Sequence, residues 1–301
     1  MPPTWTPEIV VSAALTRSLV ESQFPQLAPA SLKLLGEGFD NTAFLVNREY
    51  VFRFPRRQFA VQFNEAETRV MPSLAPRLPL PVPIPKFVGQ ATAEYPWPFL
   101  GHRLIPGRTA CAIALNDQER CILAKPLAQF LAALHAIPAA ELGAGPDPIA
   151  KLDIVNRAPR CREDLHDLAR RGLSADIRPL LAILDAAPAQ YTPRADTLVH
   201  GDLYVRHLLV DANNQLAGVI DWGDVHLGDP AVDLAIAHAF LPPAARDVFR
   251  RAYGRIEDIT WQMARLRGLW HTVAVVAYAN DVGDADLIRA GQVSLRNLAA
   301  E

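Results

Sequence analysis

Two short apolar runs separated by a polar turn constrain the fold of this chain more than any other feature. The runs span residues 208–210 and 216–220, and the turn between them is rich in Asp and Asn. This pattern predicts a β-hairpin. When the strands are paired about the turn, His207 and Asp221 fall at the same end of the hairpin. Because neighbouring strands lie about 4.8 Å apart, both side chains can reach one cation.

A second carboxylate precedes this hairpin. Asp202 lies in the loop just before it, in the sequence His-Gly-Asp that begins at His200. The loop and the hairpin therefore bring two carboxylates and an imidazole towards one point. Phosphoryl transfer uses such a set, because one carboxylate orients the acceptor hydroxyl while other ligands hold the magnesium ion that bridges the phosphates. The segment indicates metal-assisted phosphate chemistry.

Strand patterns dominate the first hundred or so residues, and helical patterns dominate the rest. The predicted strands cover residues 32–35, 43–46, 50–54, 87–88 and 99–105. Downstream, residues 123–135 place their apolar side chains on one face of a helix. Strands followed by helices predict the α+β class. We expect two domains: residues 1–104, with an antiparallel sheet and helices, and residues 105–301, which are mainly helical.

A helix is also predicted at the N-terminus. Thr6 would cap this helix, Pro7 would occupy its first position, and Glu8 would lie in its first turn. The apolar residues that follow continue the helical pattern as far as Val20.

The His-Gly-Asp loop and the residues after the hairpin resemble a known pair of motifs. H-G-D-x-x-x-x-H followed by I-D-W is similar to the catalytic loop and metal motif of the aminoglycoside and macrolide phosphotransferases. Protein kinases, which are related to that family, carry H-R-D-x-x-x-x-N and D-F-G in the same places. Residues 228–235 also match the G-D-P-x-x-D-L-A segment of the family. The resemblance covers roughly residues 30–240 and implies a bilobal, protein-kinase-like fold.

The resemblance implies a role for each polar residue of these motifs. Asp202 corresponds to the catalytic base, and Asp221 corresponds to the main ligand of Mg²⁺. His207 stands where protein kinases have a second metal-binding residue, an Asn, although imidazole is a less usual ligand for magnesium than an amide oxygen. Asp229 and Asp233 are expected to support the site structurally.

The resemblance also implies a nucleotide-binding site in the N-terminal half. Gly36 and Gly38 form a turn of the kind that covers nucleotide phosphates, because glycine lets the backbone come close. Asn41 replaces the third glycine of the kinase pattern. Arg53 stands where the family has its phosphate-binding lysine, and its charge can still neutralise phosphates. Glu67 on the next helix is the expected ion-pair partner of Arg53.

Two questions about this nucleotide site stay open. Glu65 is close enough to Glu67 in sequence to compete for the same arginine. Residues 100–104 align with the linker whose backbone contacts the purine in the family, so His102 and Leu104 are expected nucleotide contacts. The sequence does not distinguish ATP from GTP as the phosphate donor.

Composition limits which binding partners and which cellular compartment are expected for this protein. The formal net charge is -2, which indicates neither a nucleic-acid-binding nor a membrane-binding surface. No apolar run reaches the roughly 18 residues of a membrane-spanning helix, and the N-terminal residues lack the pattern of a signal peptide. The 3 cysteines contain no C-x-x-C pair, as expected for free thiols in the cytoplasm.

We therefore expect a cytoplasmic kinase that uses Mg²⁺ and ATP or GTP to phosphorylate a hydroxyl group of a small molecule. An aminoglycoside or macrolide antibiotic is one candidate acceptor and would imply a role in antibiotic resistance. A choline-like, homoserine-like or sugar-like metabolite is the alternative acceptor. The sequence leaves the oligomeric state open.

The C-terminal third offers two kinds of surface to an acceptor. Its acidic residues would suit a polycationic aminoglycoside: Asp281, Asp284 and Asp286. The apolar run of residues 273–279 would suit a macrolide. Candidates for lining an acceptor pocket are Trp270, His271, Tyr278 and Asp281. Packing in the core explains the aromatic ones equally well.

Two other functional classes stay open. A metallohydrolase is suggested by metal-ligand residue types that lie close together in sequence: His200, Asp202, His207, Asp221 and His226. Such an enzyme would not need the glycine turn upstream. A catalytically inactive nucleotide-binding relative is suggested by the Arg and His that replace the usual Lys and Asn. Both aspartates of the catalytic motifs are nevertheless present.

Overall fold

The structure, a computed structural model, describes residues 6–138 and 142–300. Contacts within the chain divide it into two compact units. The first consists of Met1–Pro76, Val82–Ile105 and Asp221–Asp224, and the second of Arg77–Pro81, Pro106–Ile220 and Val225–Glu301. The predicted domain boundary after residue 104 stays a prediction, because each unit also contains a short segment from the other side of that boundary.

A 5-stranded antiparallel sheet is the frame of the first unit. Its strands are β1 (Leu32–Glu37), β2 (Asn41–Val46), β3 (Tyr50–Pro55), β4 (Pro85–Gly89) and β5 (Phe99–Arg103). The helices of this unit are α1 (Ala13–Gln23) and α2 (Val61–Leu74). The strand order is β1-β2-β3-β5-β4, so β3 lies in the middle, where it is buried along its whole length. Every predicted strand of the N-terminal part overlaps a strand of this sheet.

The N-terminal helix begins later than the sequence predicts, and the predicted start at Thr6 is wrong. Ser12 caps α1, because its hydroxyl accepts a hydrogen bond from the amide of Leu15 at 3.1 Å. The amide groups of residues 8 and 9 donate instead to the carbonyl of Arg56, which ties this segment to the end of β3.

Aromatic side chains fill the core of the first unit. Phe54 and Phe99 stack with their ring centroids 4.7 Å apart, and Phe52 and Phe87 stack at 5.4 Å. Gly101 on β5 lies opposite Phe52, and a Cβ atom at Gly101 would come within 2.7 Å of the Phe52 ring. The missing side chain therefore lets this ring lie across the neighbouring strand.

Helices form most of the second unit. They are α3 (Asp117–His135), α4 (Ile154–Arg170), α5 (Arg178–Asp185), α6 (Ala231–Ala239), α7 (Pro243–Tyr253), α8 (Asp258–Val282) and α9 (Ala285–Ala299). Its strands are β6 (Arg108–Thr109), β7 (Thr197–Val199), β8 (Leu208–Val210), β9 (Leu216–Val219) and β10 (His226–Gly228). The predicted α+β class is confirmed. Among the described residues, no helix has both the length and the apolar character needed to cross a membrane.

The predicted hairpin is formed by β8 and β9. Val210 pairs with Leu216 across the turn, and a register irregularity follows. Beyond the strands, the amide of Ile220 donates to the carbonyl of His207 at 3.0 Å. The paired region therefore ends with His207 opposite Ile220, and Asp221 is the next residue of the chain.

Gly101→Ala is expected to lower the free energy of unfolding by about 1–3 kcal/mol, because the added methyl group overpacks the core against Phe52. Gly36→Ala is the matched control, since a Cβ atom at Gly36 meets no atom within 4 Å. Urea denaturation of both variants measures the difference. Equal stability of the two variants would contradict this account of the core.

Candidate active site

Two histidines hold the backbone of Asp202 in the second unit. The amide of Asp202 donates to Nδ1 of His200 at 3.3 Å, and Nδ1 of His207 donates to the carbonyl of Asp202 at 2.7 Å. Nε2 of His200 donates in turn to the carbonyl of Ile220 at 3.0 Å. Both ring nitrogens of His200 are thus used to fix the loop, so His200 is a structural residue and a poor candidate for a metal ligand.

Asp233 holds the same loop from α6. Its Oδ2 accepts a hydrogen bond from the amide of His200 at 2.7 Å, and its Oδ1 accepts one from the amide of Gly201 at 2.9 Å. Nε2 of His135 lies 3.1 Å from Oδ2, and Nδ1 of His135 lies 2.7 Å from the hydroxyl of Tyr253. Burial alone would raise the pKa of Asp233, but the hydrogen bonds, first that from His135, lower it.

Asp229 has a similar supporting position at the start of α6. Its Oδ2 accepts hydrogen bonds from the hydroxyl of Tyr191 at 2.5 Å and from the amide of Arg194 at 2.9 Å. Its Oδ1 accepts one from the amide of Ala231 at 2.9 Å. The contacts of Asp229 and Asp233 agree with the structural role that the sequence predicts for both.

The side chain of Asp202 contacts a histidine from α8. Nε2 of His271 lies 3.0 Å from Oδ1 of Asp202. Burial and the nearby charge of Arg267 lower the pKa of His271 to about 4, so this ring is neutral near pH 7 and its Nε2–H donates. Burial alone would raise the pKa of Asp202, but the hydrogen bond from His271 contributes to lowering it well below its usual range. Asp202 is therefore a carboxylate at neutral pH.

His207 has a tautomer that suits a metal ligand. Because Nδ1 of His207 donates to the carbonyl of Asp202, the lone pair of the neutral ring lies on Nε2. Hydrogen bonding of one ring nitrogen to a carbonyl is the usual way in which proteins orient the other nitrogen towards a metal. The ring is buried, and the ring of Tyr204 packs edge-on against it with centroids 4.4 Å apart.

A buried charge network lies in the first unit. Nη1 of Arg53 donates to Oε2 of Glu67 at 2.7 Å, and Nη2 of Arg53 donates to Oδ1 of Asp221. Arg53 and Glu67 are buried, whereas Glu65 is exposed, so Glu67 is the partner and the competition that the sequence allowed does not occur. Burial alone would lower the pKa of Arg53, but the charges of Asp221 and Glu67 outweigh it and raise the pKa.

Gly36 is an exposed residue near the end of β1, and Gly38 lies in the turn that joins β1 to β2. The amide of Gly38 donates to the carbonyl of Asn41 at 2.8 Å, and a Cβ atom at Gly38 would meet only this carbonyl oxygen, at 3.5 Å. No protein atom in the described chain therefore requires glycine at either position. Two large apolar side chains before the turn, Leu34 and Leu35, are about half exposed at 49% and 47%.

Of the two residues predicted to contact a purine, His102 lies near the end of β5 and Leu104 directly follows the strand. His102 is buried, and burial lowers its pKa to about 4, so the ring is neutral. Its Nδ1 lies 2.9 Å from the carbonyl of Arg103. The amide of Leu104 already donates to the carbonyl of Glu49 at 2.7 Å. We expect any purine contact of Leu104 to use its carbonyl group.

Few side chains in the described part of the chain are arranged as possible metal ligands. Within residues 6–138 and 142–300, no group of three or more His, Cys, Asp or Glu side chains is arranged to hold a metal ion. Magnesium is commonly bound through one or two carboxylates together with substrate phosphates and water. The carboxylate of Asp221 fits that pattern, whereas the several histidine ligands of a metallohydrolase site are not brought together in the described residues.

The sequence singled out His271 only as a candidate for the lining of an acceptor pocket. Its contact with Asp202 joins residues far apart in the chain, and helical spacing on α8 alone does not reveal it. The same holds for His135, whose partner Asp233 belongs to a different helix.

A match to a family model agrees with this geometry. The model described as "Phosphotransferase enzyme family" matches residues 31–269. The chain therefore belongs to this family of phosphate-transferring enzymes.

Two curated proteins are similar to part of the chain. The chain is 26% identical over 200 residues to the uncharacterized protein YcbJ of Bacillus subtilis, covering 62% of this chain and 61% of that protein. It is 32% identical over 160 residues to viomycin phosphotransferase of Streptomyces vinaceus, covering 52% of this chain and 54% of that protein. The chain thus spans little more than half the length of these relatives.

A solved structure is similar over almost the whole chain. The GDP complex of aminoglycoside 2'-phosphotransferase-IIIa superposes with a TM-score of 0.69 and 25% identity, covering 96% of this chain and 99% of that one. The kinase-like α+β fold that the sequence predicts is therefore confirmed.

Glu67→Ala is expected to lower the free energy of unfolding by about 3–5 kcal/mol, because it leaves the buried cation of Arg53 without one of its two carboxylate partners. Glu65→Ala, an exposed change on the same helix, is the matched control and is expected to have little effect. Chemical denaturation of both variants measures the two changes. If the Glu67→Ala protein were as stable as the Glu65→Ala protein, the Arg53–Glu67 ion pair would not contribute to the stability of the fold.

Proposed function

We propose that this enzyme transfers the terminal phosphate of ATP or GTP to a hydroxyl group of a small molecule. The observation that carries the proposal is the ionised carboxylate of Asp202, which is held through its backbone by His200 and His207 and through its side chain by His271. A carboxylate fixed in this way can receive the proton of an acceptor hydroxyl. The GDP bound to the similar solved structure supports a purine nucleotide as donor.

The proposed transfer is a single in-line displacement. The acceptor oxygen forms a bond to the terminal phosphorus as the bond to the bridging oxygen breaks, and the nucleoside diphosphate leaves. Asp202 orients the hydroxyl and takes its proton, which then passes to solvent. Positioning and charge stabilisation provide most of the catalysis in reactions of this type.

Arg53 is the proposed phosphate-binding cation. Glu67 fixes its guanidinium group, which is buried and positively charged at every working pH. Asp221 and His207 would hold Mg²⁺, which supplies neutralisation of the charge on the phosphate oxygens when it is bound. Gly36, Gly38 and Asn41 would cover the phosphates, and His102 and Leu104 would border the purine.

The proposed acceptor is an uncharged or weakly charged hydroxyl compound. Each of the three C-terminal aspartates that would suit a polycationic aminoglycoside is paired with an arginine. The pairs are Asp281–Arg171 at 3.0 Å, Asp284–Arg206, and Asp286–Arg289 at 2.8 Å. These arginines offset the negative potential that a polycation would need.

The proposal also includes the compartment and the cellular role of the enzyme. Cys111, Cys121 and Cys161 are free thiols, which supports a reducing cytoplasm as the compartment. A role in antibiotic resistance follows if the acceptor is a macrolide antibiotic. A metabolite as acceptor would give a role in metabolism instead.

The direct test is a panel of hydroxyl acceptors with magnesium and either ATP or GTP, read by mass spectrometry for an added phosphate group. The panel includes macrolides, hydroxyamino acids, choline and neutral sugars, with aminoglycosides and viomycin as polycations. We expect a magnesium-dependent product from the uncharged or weakly charged group. A product from polycations alone would contradict the acceptor class, and no magnesium-dependent turnover with any acceptor or with water would contradict the phosphotransferase.

Gly36→Ala is expected to weaken binding of the magnesium–nucleotide complex about tenfold, because a methyl group at this end of β1, beside the turn, keeps one backbone amide away from a phosphate. Gly145→Ala is the matched control, since a Cβ atom there also meets nothing within 4 Å. Titration with a fluorescent ATP or GTP analogue gives both dissociation constants. Equal constants would remove the glycine turn from the nucleotide site.

A further inference from the structure

We infer that His271 is a positioning residue for the reaction, which turns the carboxylate of Asp202 towards the acceptor hydroxyl. This inference rests on the proposed role of Asp202 as the group that receives the hydroxyl proton. It goes beyond that role because it assigns a function to a residue of α8 that lies outside both catalytic motifs.

The backbone of Asp202 is already fixed without His271. Its amide is hydrogen-bonded to His200 and its carbonyl to His207. Asp233 accepts hydrogen bonds from the amides of His200 and Gly201. Rotation about the side-chain bonds of Asp202 is the freedom that these contacts leave. A carboxylate that rotates can present either oxygen, or neither, to an acceptor.

His271 removes this rotational freedom. Its Nε2–H donates to Oδ1 of Asp202 at 3.0 Å, so this oxygen is engaged. The other oxygen, Oδ2, lies 3.8 Å from Nδ1 of His207, which is too far for a hydrogen bond. Oδ2 is therefore the oxygen that faces the acceptor hydroxyl, and His271 determines this choice.

The ring of His271 is itself held in place. Tyr204, two residues after Asp202, packs edge-on against His271 with ring centroids 5.1 Å apart and against His207 with centroids 4.4 Å apart. One aromatic ring thus sets the orientation of both histidines that flank the carboxylate. The rings of Tyr204 and His271 border a small cavity of about 20 Å³ lined also by Gly268 and Val275, which leaves little space for His271 to move.

The two oxygens of the Asp202 carboxylate have different roles in the proposed reaction. Oδ1 accepts the hydrogen bond of a neutral imidazole and stays occupied throughout the transfer. Oδ2 receives the proton of the acceptor hydroxyl as the oxygen–phosphorus bond forms. His271 exchanges no proton with the substrate, so its contribution is to the geometry of Asp202 and affects kcat rather than the binding of nucleotide.

Two substitutions separate the hydrogen bond from the packing. Gln places an amide N–H near the position of Nε2, whereas Phe keeps a ring against Tyr204 but has no donor. His271→Phe is expected to lower kcat about 10- to 100-fold while the nucleotide dissociation constant stays unchanged. His271→Gln is expected to recover most of the activity. The probe is phosphate release from magnesium–ATP or magnesium–GTP with water as acceptor, repeated with any acceptor that the wild-type enzyme phosphorylates.

Asp202→Asn is measured in parallel to separate this inference from the proposed function. If Asp202→Asn is inactive and His271→Phe equals wild type, the role of His271 is overturned and that of Asp202 stands. Equal losses in the Phe and Gln variants, with both folded by circular dichroism, would likewise overturn the hydrogen bond as the cause. If Asp202→Asn keeps full turnover, both roles are overturned.

Discussion

The candidate active site of the second unit depends on the hydrogen bonds that the carboxylate of Asp233 accepts. This carboxylate binds the amides of His200 and Gly201 and is fixed in turn by His135, so a buried charge on α6 sets the path of the loop that carries Asp202. Backbone amides bonded to a buried carboxylate leave the loop little freedom. Asp202 can therefore be placed by the fold, rather than by substrate, before any reaction begins.

The first unit also depends on a buried charge, which here is a cation instead of a carboxylate. A buried cation, Arg53, is bonded to Glu67 on one side and to Asp221 on the other. A buried ion pair is costly to form and more costly to break, which favours a single arrangement of all its partners. Arg53 fits this role better than Lys would, because its planar guanidinium binds two carboxylates through different nitrogens.

Much of this arrangement could be predicted because it is local in sequence or follows from a motif. The hairpin with its Val210–Leu216 pair and the Arg53–Glu67 ion pair are of this kind. The start of α1 was missed because Thr6-Pro7-Glu8 carries a good capping pattern, yet tertiary hydrogen bonds draw the next residues towards the sheet. The partner of Asp202 on α8 was missed because helix packing, not spacing, brings His271 to it.

The central claim is one direct transfer of phosphate to an oxygen that faces Asp202. Its most direct test is the stereochemical course at phosphorus, measured with a nucleotide whose terminal thiophosphate is made chiral by oxygen isotopes. The acceptor is a compound that the enzyme phosphorylates, or water. A single in-line displacement predicts inversion of configuration. Retention would contradict the account, because it requires two successive transfers and therefore a phosphorylated residue of the enzyme.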